Sequence, residues 1–226
     1  MKKLIPLTLL TTGFLALLYY WGNEMSEFAD GVKKDPIPFE HFSLENKIQN
    51  GDLIFQTSKS RQSKAIQLAT NSKYSHMGII YKNEGDYFVY EAVQPVKLTP
   101  LKEWIHRGEN GHYVVKRLKN AEQVLTNSTF EKMKQIGERY KGKPYDLYFE
   151  WSDDKIYCSE LVWKMYKEAA EIEIGSLEQL SDFDLSNDMV KTTIKERYGD
   201  NIPMDEKVIS PSAMFNSDKL ITIEEK

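Results

Sequence analysis

The stretch Tyr157-Cys158-Ser159-Glu160-Leu161-Val162-Trp163-Lys164-Met165 decides how this chain is read. Leu161, Val162, Met165 and Ala169 follow Cys158 at i+3, i+4, i+7 and i+11, so one helical face carries all five residues. The turn-like Trp151-Ser152-Asp153-Asp154 comes just before, which puts Cys158 at the expected start of the helix. Unpaired backbone N–H groups gather at a helix N-terminus and favour negative charge. A thiol there ionises more readily, and the thiolate is the nucleophilic form. The same N–H groups can hold the oxyanion of a tetrahedral intermediate. Cys158 is the only cysteine, so an intramolecular disulfide is excluded. A free cysteine is more often a small core residue than a nucleophile, and its neighbours must decide.

A base has to come from elsewhere in the chain. Of the four histidines, His41 falls in a polar tether ahead of the folded part, His106 near a helix end and His112 at a strand edge. His76 opens the apolar run His76-Met77-Gly78-Ile79-Ile80-Tyr81-Lys82. On the strand alone, a histidine without a role is the plainer reading. Side chains alternate along a strand, so Gly78 shares the face of His76 and leaves room there for substrate or for a packed helix. The loop Asn83-Glu84-Gly85-Asp86 then leads into a second run, residues 87–93, as in an antiparallel hairpin. Glu91 is the one acid in that run, and a carboxylate buried there needs a partner. If Lys82 pairs with Tyr87, Gly78 pairs with Glu91, and His76 and Glu91 become diagonal neighbours on one face. A slip of one residue would undo this, and an exposed edge-strand charge is the alternative.

Outward from these motifs the organisation is plain. Strands are expected at residues 53–57, 76–82, 87–93 and 113–118, with a β-prone stretch at 220–223. Helices are expected at 63–69, at 100–106 with Thr99 as the cap and Pro100 at the first helical position, and from a Ser128-Thr129-Phe130-Glu131 capping box to Tyr140. A further helix begins at Cys158, and residues 171–207 mix helix and loop. Antiparallel strands with helices to one side make an α+β layout.

At 226 residues with 41% hydrophobic and 28% charged residues, the chain has the composition of a globular domain. Its net charge of −4 and lack of a basic block argue against nucleic-acid binding. Met1-Lys2-Lys3 followed by the 18 apolar and uncharged residues from Leu4 to Trp21 reads as an uncleaved membrane anchor, with a cleaved signal as the alternative. The two lysines keep the N-terminus in the cytoplasm, which places the domain outside it, in the periplasm or at the cell surface. Three parts result: an anchor at 1–21, a tether at 22–48 and a folded domain at 49–226.

Four ordered motifs then resemble one family: Gly51-Asp52-Leu53-Ile54-Phe55, Ser75-His76-Met77-Gly78-Ile79, Tyr90-Glu91-Ala92 and Tyr157-Cys158-Ser159-Glu160-Leu161-Val162. They are similar to the circularly permuted NlpC/P60 cysteine hydrolases, in particular the YiiX/YebB-like branch, over residues 51–212. The resemblance implies a permuted papain-like fold with Cys158 as nucleophile, His76 as base and Glu91 as the residue that orients the imidazole. It also implies that Tyr145, in Gly142-Lys143-Pro144-Tyr145-Asp146, lies near the site as a substrate-binding residue. The expected chemistry is amide cleavage through an acyl-enzyme, on a peptide or lipid-amide substrate of the cell envelope. A lipid hydrolase or acyltransferase at the membrane, and a non-catalytic envelope binding module, are the rival readings. No cofactor is expected. Nor is a metal, since HExxH spacing is absent and one cysteine cannot build a cysteine-rich zinc site.

Overall fold

Gly51 and Asp52 fix one end of a sheet in the computed structural model, which describes residues 44–226. Gly51 has a φ of +83°, and a Cβ there would meet Leu125 Cδ1 at 2.6 Å, so glycine is required on both counts. Asp52 is wholly buried. Its carboxylate accepts two bonds of 2.7 Å from Arg117 and one of 2.8 Å from the Gln49 N–H, which supplies the pairing that a buried charge needs. The anchor expected at 1–21, and the tether at 22–48 apart from its last five residues, lie outside the described residues. Among the described residues no helix is long and apolar enough to cross a membrane.

The first half of the fold runs β1 (Leu53–Gln56), α1 (Arg61–Thr70), β2 (His76–Asn83), β3 (Asp86–Glu91), β4 (Lys97–Pro100), α2 (Leu101–Arg107) and β5 (Val114–Leu118). The second runs α3 (Ala121–Val124), α4 (Asn127–Tyr140), α5 (Cys158–Ala170), β6 (Glu178–Gln179), α6 (Asp188–Tyr198), β7 (Lys207–Val208), α7 (Pro211–Phe215) and β8 (Leu220–Glu225). Six strands form an antiparallel sheet in the order β4-β3-β2-β1-β5-β8, and β6 pairs with β7 separately. The layout is the expected α+β arrangement.

Alternation along β1 divides the core in two. Leu53 and Phe55 join the larger cluster with Met133 and Ile136 of α4 and Leu161 and Val162 of α5. Ile54 joins a smaller cluster with Ile80, Val89, Leu101 and Trp104, in which Leu44 and Ile48 also pack. Both faces are covered, so β1 is buried along its whole length and runs apolar from Leu53 to Phe55 without alternation. Burial of a Leu or Val side chain is worth roughly 1.5–3 kcal/mol, so Leu161 and Val162 together hold α5 on the sheet by roughly 3–6 kcal/mol. The Tyr166 hydroxyl adds a bond to the Gly51 carbonyl.

Two local expectations change. Thr99 and Pro100 belong to β4, where Thr99 pairs with Val89, and α2 starts after Pro100 without a side-chain cap. The Thr99 hydroxyl bonds a buried carboxylate instead, as described below. The cap of α4 is Thr126, whose hydroxyl accepts from the Thr129 N–H at 3.3 Å, and Ser128 lies inside the helix. Hydroxyl residues at 126, 128 and 129 all fit the cap pattern, so the pattern alone leaves its register open.

Candidate active site

The hairpin register places the first two site residues. Lys82 pairs with Tyr87 and Ile79 with Tyr90, which carries Gly78 opposite Glu91. His76 sits at the start of β2, opposite Gln56 of β1. The space beside Gly78 is taken by the neighbouring strand and not by substrate or a helix. A Cβ there would come within 2.4 Å of Val89 Cγ1 and 2.7 Å of the Tyr90 carbonyl oxygen. The glycine lets β3 close on β2, and that approach brings Glu91 to His76. His76 Nε2 lies 2.6 Å from Glu91 Oε2. The imidazole also stacks on Trp104, with ring centroids 5.9 Å apart.

Glu91 has no solvent exposure, and four donors surround it. Its Oε2 accepts from Trp104 Nε1 at 2.9 Å as well as from His76. Its Oε1 accepts from the Thr99 hydroxyl at 2.5 Å and from Arg107. Burial alone would raise the carboxyl pKa, but His76, then Thr99 and Arg107, hold it below its ordinary value.

Cys158 is the first residue of α5 and is 2% exposed. Its sulfur faces the His76 ring and the backbone N–H groups of Met77 and Ser159, which act on its ionisation. Burial would push the thiol pKa up, and the imidazole and the two N–H groups outweigh it, so the thiol lies below its usual value. Burial would likewise lower His76, yet the sulfur and Glu91 together hold it up to about 9. The two shifts run in the sense that favours a thiolate and imidazolium pair. With Nε2 committed to Glu91, Nδ1 is the ring nitrogen left for the sulfur.

Tyr145 reaches the same place through a short bridge to Ile156, which leads into the cysteine helix. Its hydroxyl accepts from Gln62 Nε2 at 3.2 Å and donates toward the Cys158 sulfur. Burial, and then the charge on that sulfur, raise its pKa well above the ordinary value, so the hydroxyl keeps its proton. Glu160, also in the cysteine motif, is buried beside Lys164 at 2.8 Å and receives the Tyr157 N–H at 3.4 Å. Burial, opposed by Lys164, raises its pKa to about 8.

Two clefts open beside the pair, one walled by His76 and the other by Cys158. A wider one of about 410 Å³ mixes polar residues, among them Gln56, Ser63, Ser75, His76, Arg107 and Tyr145, with aliphatic ones such as Val93 and Leu147. A narrower one of about 100 Å³ has Cys158 in its wall and aliphatic residues of α1 and α6 around it. Gln62 and Ile66 line both.

The structure thus brings Cys158, His76, Glu91 and Tyr145 together. His106 is exposed on α2, and His112 stacks on Tyr74 at 6.2 Å, both apart from this cluster. His41 lies outside the described residues. Sequence reasoning missed Thr99, Trp104 and Arg107, which hold Glu91, and Gln62, which holds Tyr145. Trp104 and Arg107 lie on α2, which β4 separates from the acid-bearing β3, so no spacing in the chain pointed to them.

Residues 47–224 match the model of the family described as permuted papain-like amidase enzyme, YaeF/YiiX, C92 family. The chain is 50% identical over 175 residues to the uncharacterized protein YiiX of Escherichia coli strain K12, covering 77% of this chain and 85% of that protein. It is also similar to a crystal structure from Escherichia coli O157:H7 described as metalloprotein YiiX. There the TM-score is 0.75 at 50% identity, over 80% of this chain and 98% of the other. The match spans most of the folded region and includes every residue of the cluster, and the chain belongs to this permuted papain-like amidase family.

Proposed function

We propose that the protein is a cysteine amidase that works through an acyl-enzyme. The observation that carries this reading is the buried chain of contacts from the Cys158 sulfur through His76 to Glu91, with Nε2 and Oε2 2.6 Å apart. The Cys158 thiolate attacks the amide carbonyl carbon. The oxyanion that forms is met by the Cys158 backbone N–H at the helix end and by the Tyr145 hydroxyl. His76 Nδ1 then gives its proton to the amide nitrogen, the C–N bond breaks and the amine leaves. Water adds to the thioester as His76 takes its proton, and the C–S bond breaks to release the acid. Glu91 fixes the tautomer and stabilises the imidazolium, and Thr99, Trp104 and Arg107 fix Glu91.

The amide acted on belongs to the cell envelope in this reading, and the anchor read in residues 1–21 would hold the domain on the outer side of the membrane. The metalloprotein description of the Escherichia coli structure raises the question of an ion. Both oxygens of Glu91 are already taken by four donors, and among the described residues no group of three or more His, Cys, Asp or Glu side chains is arranged to hold a metal. The donor set does not fit one, and no step runs through it. Incubation with small amides and intact-mass analysis tests the reading. A thioester adduct on Cys158 and product release, both absent in Cys158→Ala, are expected. Equal turnover by Cys158→Ala, or no adduct with any amide, would sink it in favour of a binding module.

A further inference from the structure

We propose that the protein holds a neutral saccharide in a recess between α5 and the turn that precedes it, apart from the reacting groups. Trp151 and Trp163 form the aromatic part of the wall, and Asp153, Lys164, Lys167 and Glu168 form its charged part. The recess has a volume of about 310 Å³ and shares no wall residue with either cleft beside the cysteine and histidine. Such a site goes beyond the amidase reading and does not depend on it. Its place follows from helical spacing. Trp163 and Lys164 stand one turn before Lys167 and Glu168 on α5, so the four side chains are neighbours on one face. The turn from Trp151 to Asp153 lies over that face. Lys164 Nζ ties it there by donating to the Ser152 carbonyl and to Asp153 Oδ1, both at 2.7 Å.

The two indoles call for a ligand with both an apolar face and oxygen atoms. Their rings meet edge to face with centroids 5.4 Å apart, and Lys164 Nζ lies 5.0 Å from the centre of the Trp151 ring. Trp151 is only half-buried, so part of its ring is open to the recess. Trp163 is 7% exposed, and its Nε1 has no hydrogen-bond partner among the described residues. A buried indole N–H ordinarily finds an acceptor, and one left unmet is costly and calls for an explanation. An oxygen of a bound molecule supplies the acceptor.

The charged part of the wall narrows the class further. Two lysines stand against two carboxylates there, so their formal charges cancel. An anion would meet Asp153 and Glu168, and a cation would meet Lys164 and Lys167. An apolar molecule would take water from all four groups and bond none of them. A sugar hydroxyl both donates and accepts. It can serve a carboxylate and an ammonium group at once while the C–H face of its ring lies on an indole. Two of the four groups can exchange their present partners for a ligand. Lys167 pairs with Glu173 at 2.7 Å and Glu168 pairs with Arg139, all with exposed side chains, and exposed pairs contribute little.

Calorimetric titration of the full chain tests this, with cellotriose and the trimer of N-acetylglucosamine as probes and inorganic phosphate and tetramethylammonium as charged controls. Saturable binding of at least one trisaccharide is expected, with weaker or no binding of the two ions. Trp151→Ala, which removes the open ring, should weaken saccharide binding by about tenfold or more. Trp163→Phe, which keeps a ring and loses the N–H, should weaken it by about three- to tenfold. Lys167→Ala, at an exposed position where the fold is not at stake, should weaken it by about threefold. Unchanged affinity in any of these variants that retains a cooperative unfolding transition overturns the inference. So does failure of both trisaccharides to bind at any attainable concentration, or tighter binding of either ion.

Discussion

Asp52 and Glu91 are both wholly buried carboxylates at strand ends of the same sheet, and their environments act in opposite directions. Asp52 precedes β1, while Glu91 serves His76, which pairs with Gln56 at the far end of β1. At Asp52 burial wins over Arg117, and the carboxyl pKa is raised. At Glu91 the partners win, and it is lowered. Arg117 is a permanent cation that grips one acid in a two-pronged bond. His76 is titratable and is shared between an acid and a sulfur. The first arrangement can only hold the chain in place. The second can pass a proton, because the group in its middle changes charge near working pH. Buried charge by itself therefore does not mark the site; a buried charge whose partner titrates against a nucleophile does.

The comparison breaks most visibly on Cys158. Cys158→Ala should lower turnover by about a thousandfold or more while leaving the unfolding midpoint within a few degrees. Equal loss of stability and activity would make Cys158 a packing residue. Asp52→Asn should do the reverse. Removing one partner of a buried pair strands Arg117, at a cost of roughly 3–5 kcal/mol in chemical denaturation, with kcat/KM per folded molecule within about twofold. Glu91→Gln should cut kcat by about a hundredfold with a smaller change in stability, since Thr99, Trp104 and the amide oxygen remain bonded.

The pH profile sharpens the same contrast. Activity should rise with pH as Cys158 ionises below its usual range, then fall as pH passes about 9, where His76 loses the proton it must give to the leaving amine. The sign follows from a raised histidine pKa: the imidazolium is complete below the ordinary value of about 6.5 and is lost on the alkaline side. In Glu91→Gln the alkaline limb should move to lower pH, because one of the two groups that raise His76 is gone. Asp52→Asn should leave both limbs in place. The smallest effect is expected for Arg107→Lys. A lysine keeps the charge but loses the planar fork, so kcat should fall by about three- to tenfold with KM little changed for substrates without an acidic amine half.

Most of this constellation was legible before the fold was known, for reasons that differ by residue. Cys158 stood out because helical spacing and the preceding turn fixed the end of the helix on which it sits. His76 and Glu91 could be joined because a four-residue loop sets a hairpin register, and the sheet keeps that register. Thr99 was misread because a threonine before a proline looks like a helix cap, and only the pairing of β4 with β3 turns its hydroxyl toward Glu91. Arg107 and Trp104 reach the acid through the way α2 crosses the sheet, which has no periodic signature in the chain. The narrow cleft was invisible because Val190, Ile194 and Val208 are of the same types that fill any core. What distinguishes them is a space left unfilled between α1 and α6, and that is a property of packing alone.

The central claim is that His76 keeps Cys158 ionised, and the pH dependence of Cys158 alkylation by iodoacetamide tests it most directly. In the unaltered protein the rate should already be near its plateau at neutral pH, with a midpoint well below the ordinary thiol value of about 8.5. In His76→Ala the midpoint should move up toward or beyond that value, and the neutral-pH rate should drop about tenfold or more. Superimposable profiles for the two proteins, or a thiol that reacts only after denaturation, would contradict the account.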